Sequence, residues 1–322
     1  MRHCLILTFA LATPALADFP ETVKDHILPG YATFASATKA LADATAQSCD
    51  PVTLQPAFNA AFDAWVGVQH LQFGPVAANG DALAIDFWPD PKGLGAKAQR
   101  GLLTGDPTAL QPAAFAEQSV AARGLTGLER LLYPTEPLPG DTCPLIRATA
   151  TDLARMAGEV QAAWVSGYAE TLLTAGEADN TTFLTRPEVR QALFTQLIAG
   201  IEFLRDQRLG RPLGTFDKPR PERAEARASG RSLTNIQLSL LAMKAMAASL
   251  TPDAPLTMTA FDRAITLADK LNDPVLAGVA TPSGRLKVEI LQQSVTALHD
   301  TAVKELGPEL DVGIGFNAAD GD

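Results

Sequence analysis

The stretch "RGLTGLERLLY", residues 123–133, decides the fold class of this chain. Its leucines recur at intervals of three and four, which places them on one face of an α-helix. Glu129 interrupts this apolar helix, three residues after Thr126. A buried carboxylate is costly unless a cation neutralises it or it takes up a proton. We therefore expect a helical protein in which Glu129 is either a site residue or one member of a structural ion pair with an arginine such as Arg231.

The helical periodicity extends over almost the whole chain, which is rich in Ala and Leu and has few runs of β-branched residues. A break at "TAGEADNTTFLT", residues 174–185, divides the chain nearly in half and leaves about four helices on either side. Because amphipathic helices must bury their apolar faces, these patterns predict an all-α protein of two packed four-helix bundles, residues 18–178 and 179–322.

The first 17 residues are organised like a secretory signal peptide. "MRHCLILTFALATPALA" begins with Arg2, continues with an apolar run and ends in small residues, as expected for a leader that is cleaved before Asp18. The apolar run is shorter than the roughly 20 residues that a bilayer requires. We therefore expect a periplasmic protein with no transmembrane segment in the mature chain.

Acidic side chains outnumber basic ones. The chain has 36 Asp and Glu against 26 Lys and Arg, which gives a formal net charge of −10. Nucleic acids and anionic lipids both bind clusters of Lys and Arg. We therefore expect no nucleic acid partner, whereas an acidic surface is compatible with attraction of cations.

Two cysteines, Cys49 and Cys143, remain after removal of the leader. In an oxidising compartment such an isolated pair usually forms a disulfide. The alternative, a pair of thiolate metal ligands, lacks the usual C-x-x-C spacing. We expect the disulfide.

Motifs of nucleophilic and zinc catalysis are absent from the sequence, which contains neither G-x-S-x-G nor H-E-x-x-H. His70 has the clearest context among the histidines, because Asp63, Gly67 and His70 share one face of a predicted helix. His70 and Asp63 are therefore candidate metal ligands, and the alternative for His70 is a hydrogen bond at a helix end. We expect His26 at the surface.

Two further segments contribute polar candidates. Asp86 and Trp88 occur in the proline-limited loop "AIDFWPDPKG" and either line a site or cap the next turn. Ser232, Asn235 and Ser239 form a polar stripe on the helix that "SGRSLTNIQLSL" predicts. If buried, these groups need hydrogen-bond partners, so the stripe is either an inter-bundle contact or the far wall of a pocket.

A charged segment, "GIEFLRDQRLG", has a simpler interpretation. Glu202 and Asp206 lie one turn apart and are flanked by Arg205 and Arg208. Opposite charges at this spacing form ion pairs on a helix surface. We expect a salt-bridged face without a ligand.

Several motifs together resemble the imelysin family, whose members are also described as insulin-cleaving membrane proteases and relatives of iron-regulated protein A. The resemblance extends over nearly the whole mature chain and is carried by "AWVGVQHLQFGP", "FWPDPKG", "ARGLTGLERLLYP", "AEARASGRSLTNI" and "LDVGIGFNAADGD". It implies two four-helix bundles related by duplication, with a site between them. It also implies a place among periplasmic components of iron uptake, with membrane components as partners.

The signature G-x-H-x-x-E of similar proteins aligns with residues 124–129, where the glycine and glutamate match and Thr126 replaces the histidine. A histidine and a glutamate at i and i+3 can hold one cation together, whereas a threonine hydroxyl is a poor ligand for a transition metal. Glu129 fits the site glutamate, and His70, from another helix, could supply the missing imidazole.

These observations predict a protein that binds iron, an iron complex or another divalent metal in a cleft between two helical bundles. The candidate metal ligands are Glu129, His70, Asp63 and Asp86. Further ligand contacts are expected from Glu129, Thr126, Arg231, Ser232 and Trp88. The alternatives are a metal-dependent peptidase and a non-catalytic interaction protein. Loss of the signature histidine favours binding over catalysis.

Overall fold

The structure is a computed structural model, which describes residues 18–78 and 80–313. The signal-peptide prediction falls on residues 1–17 and lies outside the described residues. Most of the closing motif "LDVGIGFNAADGD" lies outside them as well.

Long helices dominate the fold, and the all-α class is confirmed because the described residues form no strand. Nine helices of nine or more residues occur in this part of the chain: α1 Leu28–Gln47, α2 Pro51–Val66, α3 Leu94–Thr104, α4 Gly124–Leu132, α5 Cys143–Ala163, α6 Arg186–Phe203, α7 Ser232–Leu250, α8 Pro255–Leu271 and α9 Pro282–Glu309.

Short helical segments extend or connect these helices. Three of them are π-helical: Val23–Ile27 before α1, Trp164–Tyr168 after α5 and Leu204–Leu209 after α6. Six are short α-helices: Phe19–Thr22, Pro75–Ala78, Asp81–Ile85, Pro112–Ala116, Ala169–Leu173 and Gly210–Leu213. Four are 3₁₀ turns: Pro107–Leu110, Val120–Ala122, Pro221–Arg223 and Ala277–Ala280.

Helices α1, α2, α4 and α5 pack on one another and form the first set. Helix α2 begins at a well-defined cap, because the Asp50 carboxylate accepts a hydrogen bond from the Thr53 backbone amide and Pro51 occupies the first turn. A disulfide between Cys49 and Cys143, with 5.3 Å between the Cα atoms, joins the end of α1 to the start of α5. The predicted disulfide is therefore confirmed.

Helices α6, α7, α8 and α9 form the second set. Helix α9, the longest at 28 residues, begins where the Thr281 side chain accepts a hydrogen bond from the Gly284 backbone amide. The two sets meet where α7 packs against α2, and their buried apolar side chains form one continuous cluster. The duplication and the boundary at residue 178 stay predictions. No helix within 18–78 or 80–313 is both long and apolar enough to cross a membrane.

Candidate functional site

Gly124 brings helix α4 against the segment that leads to Asp86. Its φ of +65° lies in the left-handed region, and a Cβ there would stand 2.2 Å from the carbonyl oxygens of Ala84 and Ile85. Only a glycine permits this approach without a shift of backbone. Because Asp86 directly follows these carbonyls, the contact places it beside Thr126 in the first turn of α4.

Asp86 is buried and accepts hydrogen bonds from three side chains. Thr126 Oγ1 donates to Oδ1 at 2.7 Å, whereas Gln69 Nε2 and Trp65 Nε1 donate to Oδ2 at 3.0 and 3.4 Å. Burial, followed by the negative charge of Glu225, raises the pKa of Asp86 to about 7, against the lowering effect of the Thr126 hydrogen bond. The carboxyl group is therefore close to half protonated at neutral pH.

The Gln69 carboxamide connects Asp86 to the second set of helices, because its Oε1 accepts a hydrogen bond from Arg208 Nη2. Arg208 also forms an ion pair with Glu225, from Nε to Oε2 at 2.7 Å and from Nη2 to Oε1 at 3.2 Å. Both side chains of this pair are only 3% exposed. Arg208 Nη1 donates to Ser239 Oγ. One positive and one negative charge are thus buried together, each fixed by hydrogen bonds.

The network continues from Glu225 back to helix α2. Asn235 Nδ2 donates to Glu225 Oε2 at 2.8 Å and its Oδ1 accepts from Arg231 Nη2 at 3.1 Å. Arg231 pairs with Asp63 through Nη2 and donates to Asn59 Oδ1 from Nη1 at 3.1 Å. A continuous hydrogen-bond network therefore links the two sets of helices at two places. One is the bond from Arg208 to Gln69, and the other is formed by Arg231 with Asp63 and Asn59.

Glu129 meets the second half of the chain at Ser229. The backbone amide and Oγ of Ser229 donate to Glu129 Oε1 at 2.9 and 2.7 Å. Burial raises the pKa of Glu129, and the hydrogen bonds from Ser229 oppose this effect. Among the residues that the structure describes, no Lys, Arg or His nitrogen comes within 4.0 Å of this carboxylate. Arg231 pairs with Asp63 instead.

His70 faces His26, and their Nε2 atoms are 3.0 Å apart. His26 is half-buried against His70 rather than free at the surface, which corrects the sequence expectation. Burial lowers the pKa of His26 to about 4 and holds the pKa of His70 well below its ordinary value, so both rings are neutral at pH 7. Gly200 permits the packing, because a Cβ there would lie 2.8 Å from His70 Cβ and 2.9 Å from Met243 Sδ.

A cavity of about 510 Å³ lies between the two sets of helices, within the usual range for small-molecule sites. Its apolar wall includes Trp65, Trp88, Phe203 and Met243. Its polar wall is formed by Gln69, His70, Asp86, Arg208 and Ser239. An apolar enclosure with a few fixed polar groups can orient a small molecule.

The side chains present do not fit a metal ion held by protein ligands alone. Across residues 18–78 and 80–313, no group of three or more His, Cys, Asp or Glu side chains could hold a metal ion. Protein sites for zinc and similar ions use at least three such ligands. The predicted ligands have different neighbours: His70 contacts His26, Glu129 binds Ser229, and Asp63 pairs with Arg231.

The predicted site residues divide into two groups. The first group lines the cavity and consists of His70, Asp86 and Trp88. Thr126 does not line the cavity itself but donates a hydrogen bond to Asp86. The remaining candidates are absent from the cavity wall. Glu129, Asp63 and Arg231 take part in polar contacts between the two halves of the chain, and Ser232 binds the Glu225 carbonyl within the second half. Their roles toward a ligand stay predictions.

The polar stripe on α7 matches the pocket-wall interpretation at Ser239, whereas its other members bind Glu225. Ser239 lines the cavity and accepts from Arg208, whereas Ser232 Oγ donates to the Glu225 carbonyl at 2.6 Å and Asn235 binds the Glu225 carboxylate. The stripe therefore binds residues of its own half of the chain and ends in a pocket wall.

Sequence reasoning missed four residues of this site: His26, Gln69, Arg208 and Glu225. Gln69 and Glu225 were present in the quoted motifs "AWVGVQHLQFGP" and "AEARASGRSLTNI". Gln69 is followed by His70, and Glu225 lies two residues from both Arg223 and Arg227, so neither is the isolated polar residue in an apolar run that would indicate burial. Nothing in the local sequence around Arg208 or His26 indicates burial either.

These features define an all-helical protein with a ligand-sized cavity set in a buried polar network. The imelysin family model matches residues 27–302, so the chain belongs to the imelysin family.

Known relatives agree with this assignment. The chain is 24% identical over 276 residues to iron-regulated protein A from Synechococcus elongatus, across 78% of this chain and 73% of the relative. Its fold is similar to that of an imelysin-like protein from Psychrobacter arcticum 273-4, with a TM-score of 0.76 at 20% identity, over 92% of this chain and 98% of the other. A protein from Parabacteroides distasonis ATCC 8503 that bears the name iron-regulated protein A precursor has a TM-score of 0.63 at 15% identity, over 91% and 96% of the two chains.

Proposed function

We propose that this protein binds a small iron complex in the cavity beside Asp86 and Arg208. The observation that carries the proposal is the placement of Asp86, Gln69 and Arg208, fixed to one another by hydrogen bonds, on one wall of a cavity of about 510 Å³. Such a wall offers acceptors and donors that need no rearrangement before a ligand enters. The name iron-regulated protein A, borne by relatives, supports iron as the metal.

A complex fits the cavity better than a bare ion. The described side chains provide no cluster of three His, Cys, Asp or Glu, so an ion would lack protein donors. A chelator supplies those donors itself and presents an organic surface to the protein. Trp65, Trp88 and Phe203 can contact that surface, while Gln69 and Arg208 bind its polar atoms.

We further infer a periplasmic location and a role in iron uptake, in which the protein would pass its ligand to membrane components. The leader-like sequence of residues 1–17 supports export. The disulfide between Cys49 and Cys143 supports an oxidising compartment. Cell fractionation and N-terminal sequencing of the mature protein, expected to begin at Asp18, test the location.

Isothermal titration calorimetry tests the binding function directly. The purified mature protein is titrated with ferric citrate, ferric acetohydroxamate and ferrous ion, and each chelator is also titrated without iron. We expect saturable binding of at least one ferric complex. Ala199→Trp, which adds an indole to the rim of the cavity, should weaken this binding at least tenfold.

Ala40→Trp is the matched control, because Ala40 is also an exposed helical alanine but lies on α1, outside the cavity wall. It should bind like the unchanged protein. Binding of ferrous ion alone, binding of neither ferric complex, or equal effects of the two tryptophan variants would each refute the proposal.

A further inference from the structure

Arg211 is a half-buried arginine without a partner of opposite charge. It lies in the short helix Gly210–Leu213, three residues after Arg208. Its Nε is buried and has no hydrogen-bond partner, and no carboxylate within 18–78 or 80–313 forms an ion pair with its guanidinium. The contact that the structure gives it is with an aromatic ring: its Cζ lies 5.8 Å from the ring centroid of Trp88. A cationic group in this position has been partly removed from water without compensation from an anion.

The other buried arginines near the site are paired. Arg208 binds Glu225 at 2.7 Å, and Arg231 pairs with Asp63. The chain as a whole has ten more acidic than basic side chains. A shortage of carboxylates therefore does not explain why Arg211 lacks one, and its guanidinium remains available to an anion from outside the chain.

Arg211 itself does not line the cavity, and Trp88 is the cavity residue that its guanidinium contacts. The Trp88 side chain lines the cavity, and the Phe203 ring lies edge-on to it with 6.0 Å between the centroids. Aromatic side chains in this arrangement favour a flat, apolar group beside them. A guanidinium next to such a surface binds a carboxylate through two parallel hydrogen bonds.

The polar wall of the cavity does not oppose an anion. The positive charge of Arg208 is balanced by Glu225, and Asp86, with a pKa of about 7, carries only part of a negative charge at neutral pH. Arg211, which contacts Trp88 and forms no ion pair with a described residue, therefore contributes an unbalanced positive charge beside the aromatic wall.

We propose that Trp88 and Arg211 form an anion-binding subsite, which selects small aromatic carboxylates, free or as iron chelators, as the ligands of this cavity. The ring would lie in the cavity against Trp88 and Phe203, and the carboxylate would bind the guanidinium of Arg211. This inference rests on the proposed function, since it names the chemical class of the ligand for the same cavity.

Salicylate and salicylamide are suitable probes, because they share a hydroxylated ring and differ in the charge of one group. Calorimetric titration of the mature protein should show salicylate binding at least tenfold more tightly than salicylamide. Arg211→Gln should weaken salicylate binding by roughly 10- to 100-fold, the usual effect of losing a charge-assisted pair, and leave salicylamide binding unchanged. Arg263→Gln, at an exposed arginine of α8, is the matched control and should bind both probes normally.

Thermal unfolding verifies that Arg211→Gln remains folded, and Arg211→Lys, which keeps the charge, should recover part of the affinity for salicylate. Equal affinity for the two probes, failure of both to bind, or an unchanged salicylate affinity in Arg211→Gln would overturn the inference. The proposed function is judged separately by the ferric complexes. Binding of ferric acetohydroxamate without binding of salicylate would retain the function and remove the anionic aromatic class.

Discussion

Thr126 Oγ1 donates a 2.7 Å hydrogen bond to Asp86 Oδ1, so the residue that replaces the motif histidine holds a carboxyl group of the cavity wall. Glu129, three residues further on the same helix, accepts a hydrogen bond from Ser229 Oγ instead. The third and sixth positions of the motif thus bind different neighbours. In this chain the Thr126 hydroxyl of the motif holds Asp86, whereas the Glu129 carboxylate of the motif is held by the hydroxyl and backbone amide of Ser229.

Thr126→Val should raise the pKa of Asp86 above its value of about 7, because the hydrogen bond that this substitution removes favours the ionised carboxylate. Trp65 donates to the same carboxyl group, so its fluorescence provides the measurement in a titration from pH 5 to pH 9. Asp86→Asn is the control and should abolish the transition. A midpoint that stays or falls in Thr126→Val would contradict the assignment.

The stability of the fold should depend on the proton of Asp86. The pKa of Asp86 is about 7 in the folded protein and about 4 in an unfolded chain. Between these values the folded state binds more protons, so the free energy of unfolding should fall as the pH rises from 4 to 7. Asp86→Asn should remove this contribution, which at 1.4 kcal/mol per pH unit is no more than about 4 kcal/mol. Urea unfolding at pH 5 and pH 7.5 measures it.

His26 should give the opposite pH dependence. Burial lowers its pKa to about 4, compared with about 6.5 in an unfolded chain. Between these values the unfolded state binds more protons, so stability should be lost as the pH falls from 6.5 to 4. His26→Gln should reduce this loss in urea unfolding at pH 7 and pH 5. His299→Gln, at a histidine between Glu202 and Asp300, is the control and should leave the loss in place.

The helical class could be predicted from the sequence because it depends on local periodicity. Leu125, Leu128, Leu131 and Leu132, the leucines of the opening stretch, are all buried as their spacing indicated. The disulfide could be predicted because only two cysteines, Cys49 and Cys143, follow the predicted leader. The contact between Glu129 and Ser229 could not be predicted in this way. The two residues are 100 positions apart, and their contact depends on how the helices pack rather than on local sequence.

The burial of Arg208 in the site could not be predicted from the sequence, for a reason that lies in the local backbone. A period of 3.6 residues placed Arg208 on one charged face with Arg205 and Asp206. The ion pair between Arg205 and Asp206 does form at the surface, at 2.7 Å. The chain from Leu204 to Leu209 is π-helical, however, which adds a residue to the turn and changes the direction of the side chains that follow. Arg208 is consequently buried against Glu225.

Substitution of Arg208 alone should lower the free energy of unfolding more than substitution of both Arg208 and Glu225. Arg208→Met would leave the Glu225 carboxylate buried without its cation, which should lower the free energy of unfolding by about 3–5 kcal/mol. The double variant Arg208→Met/Glu225→Gln buries no charge there and should recover most of this loss. Urea unfolding at pH 7 compares the variants. The single variant Glu225→Gln completes the comparison. If the double variant loses as much free energy of unfolding as the two single variants lose together, the two side chains act independently.

The disulfide should stabilise the fold by reducing the conformational entropy of the unfolded chain. Cys49 and Cys143 are separated by 94 positions, and closing a loop of that length contributes roughly 4–5 kcal/mol on the chain-entropy model. Cys49→Ser/Cys143→Ser should therefore unfold at a lower urea concentration than the oxidised protein, and reductant should bring the unchanged protein down to the same midpoint. The helices that the disulfide joins, α1 and α5, also pack on each other, so the reduced protein should still fold. Sensitivity of the double variant to reductant would mean that another thiol or disulfide contributes, against this assignment.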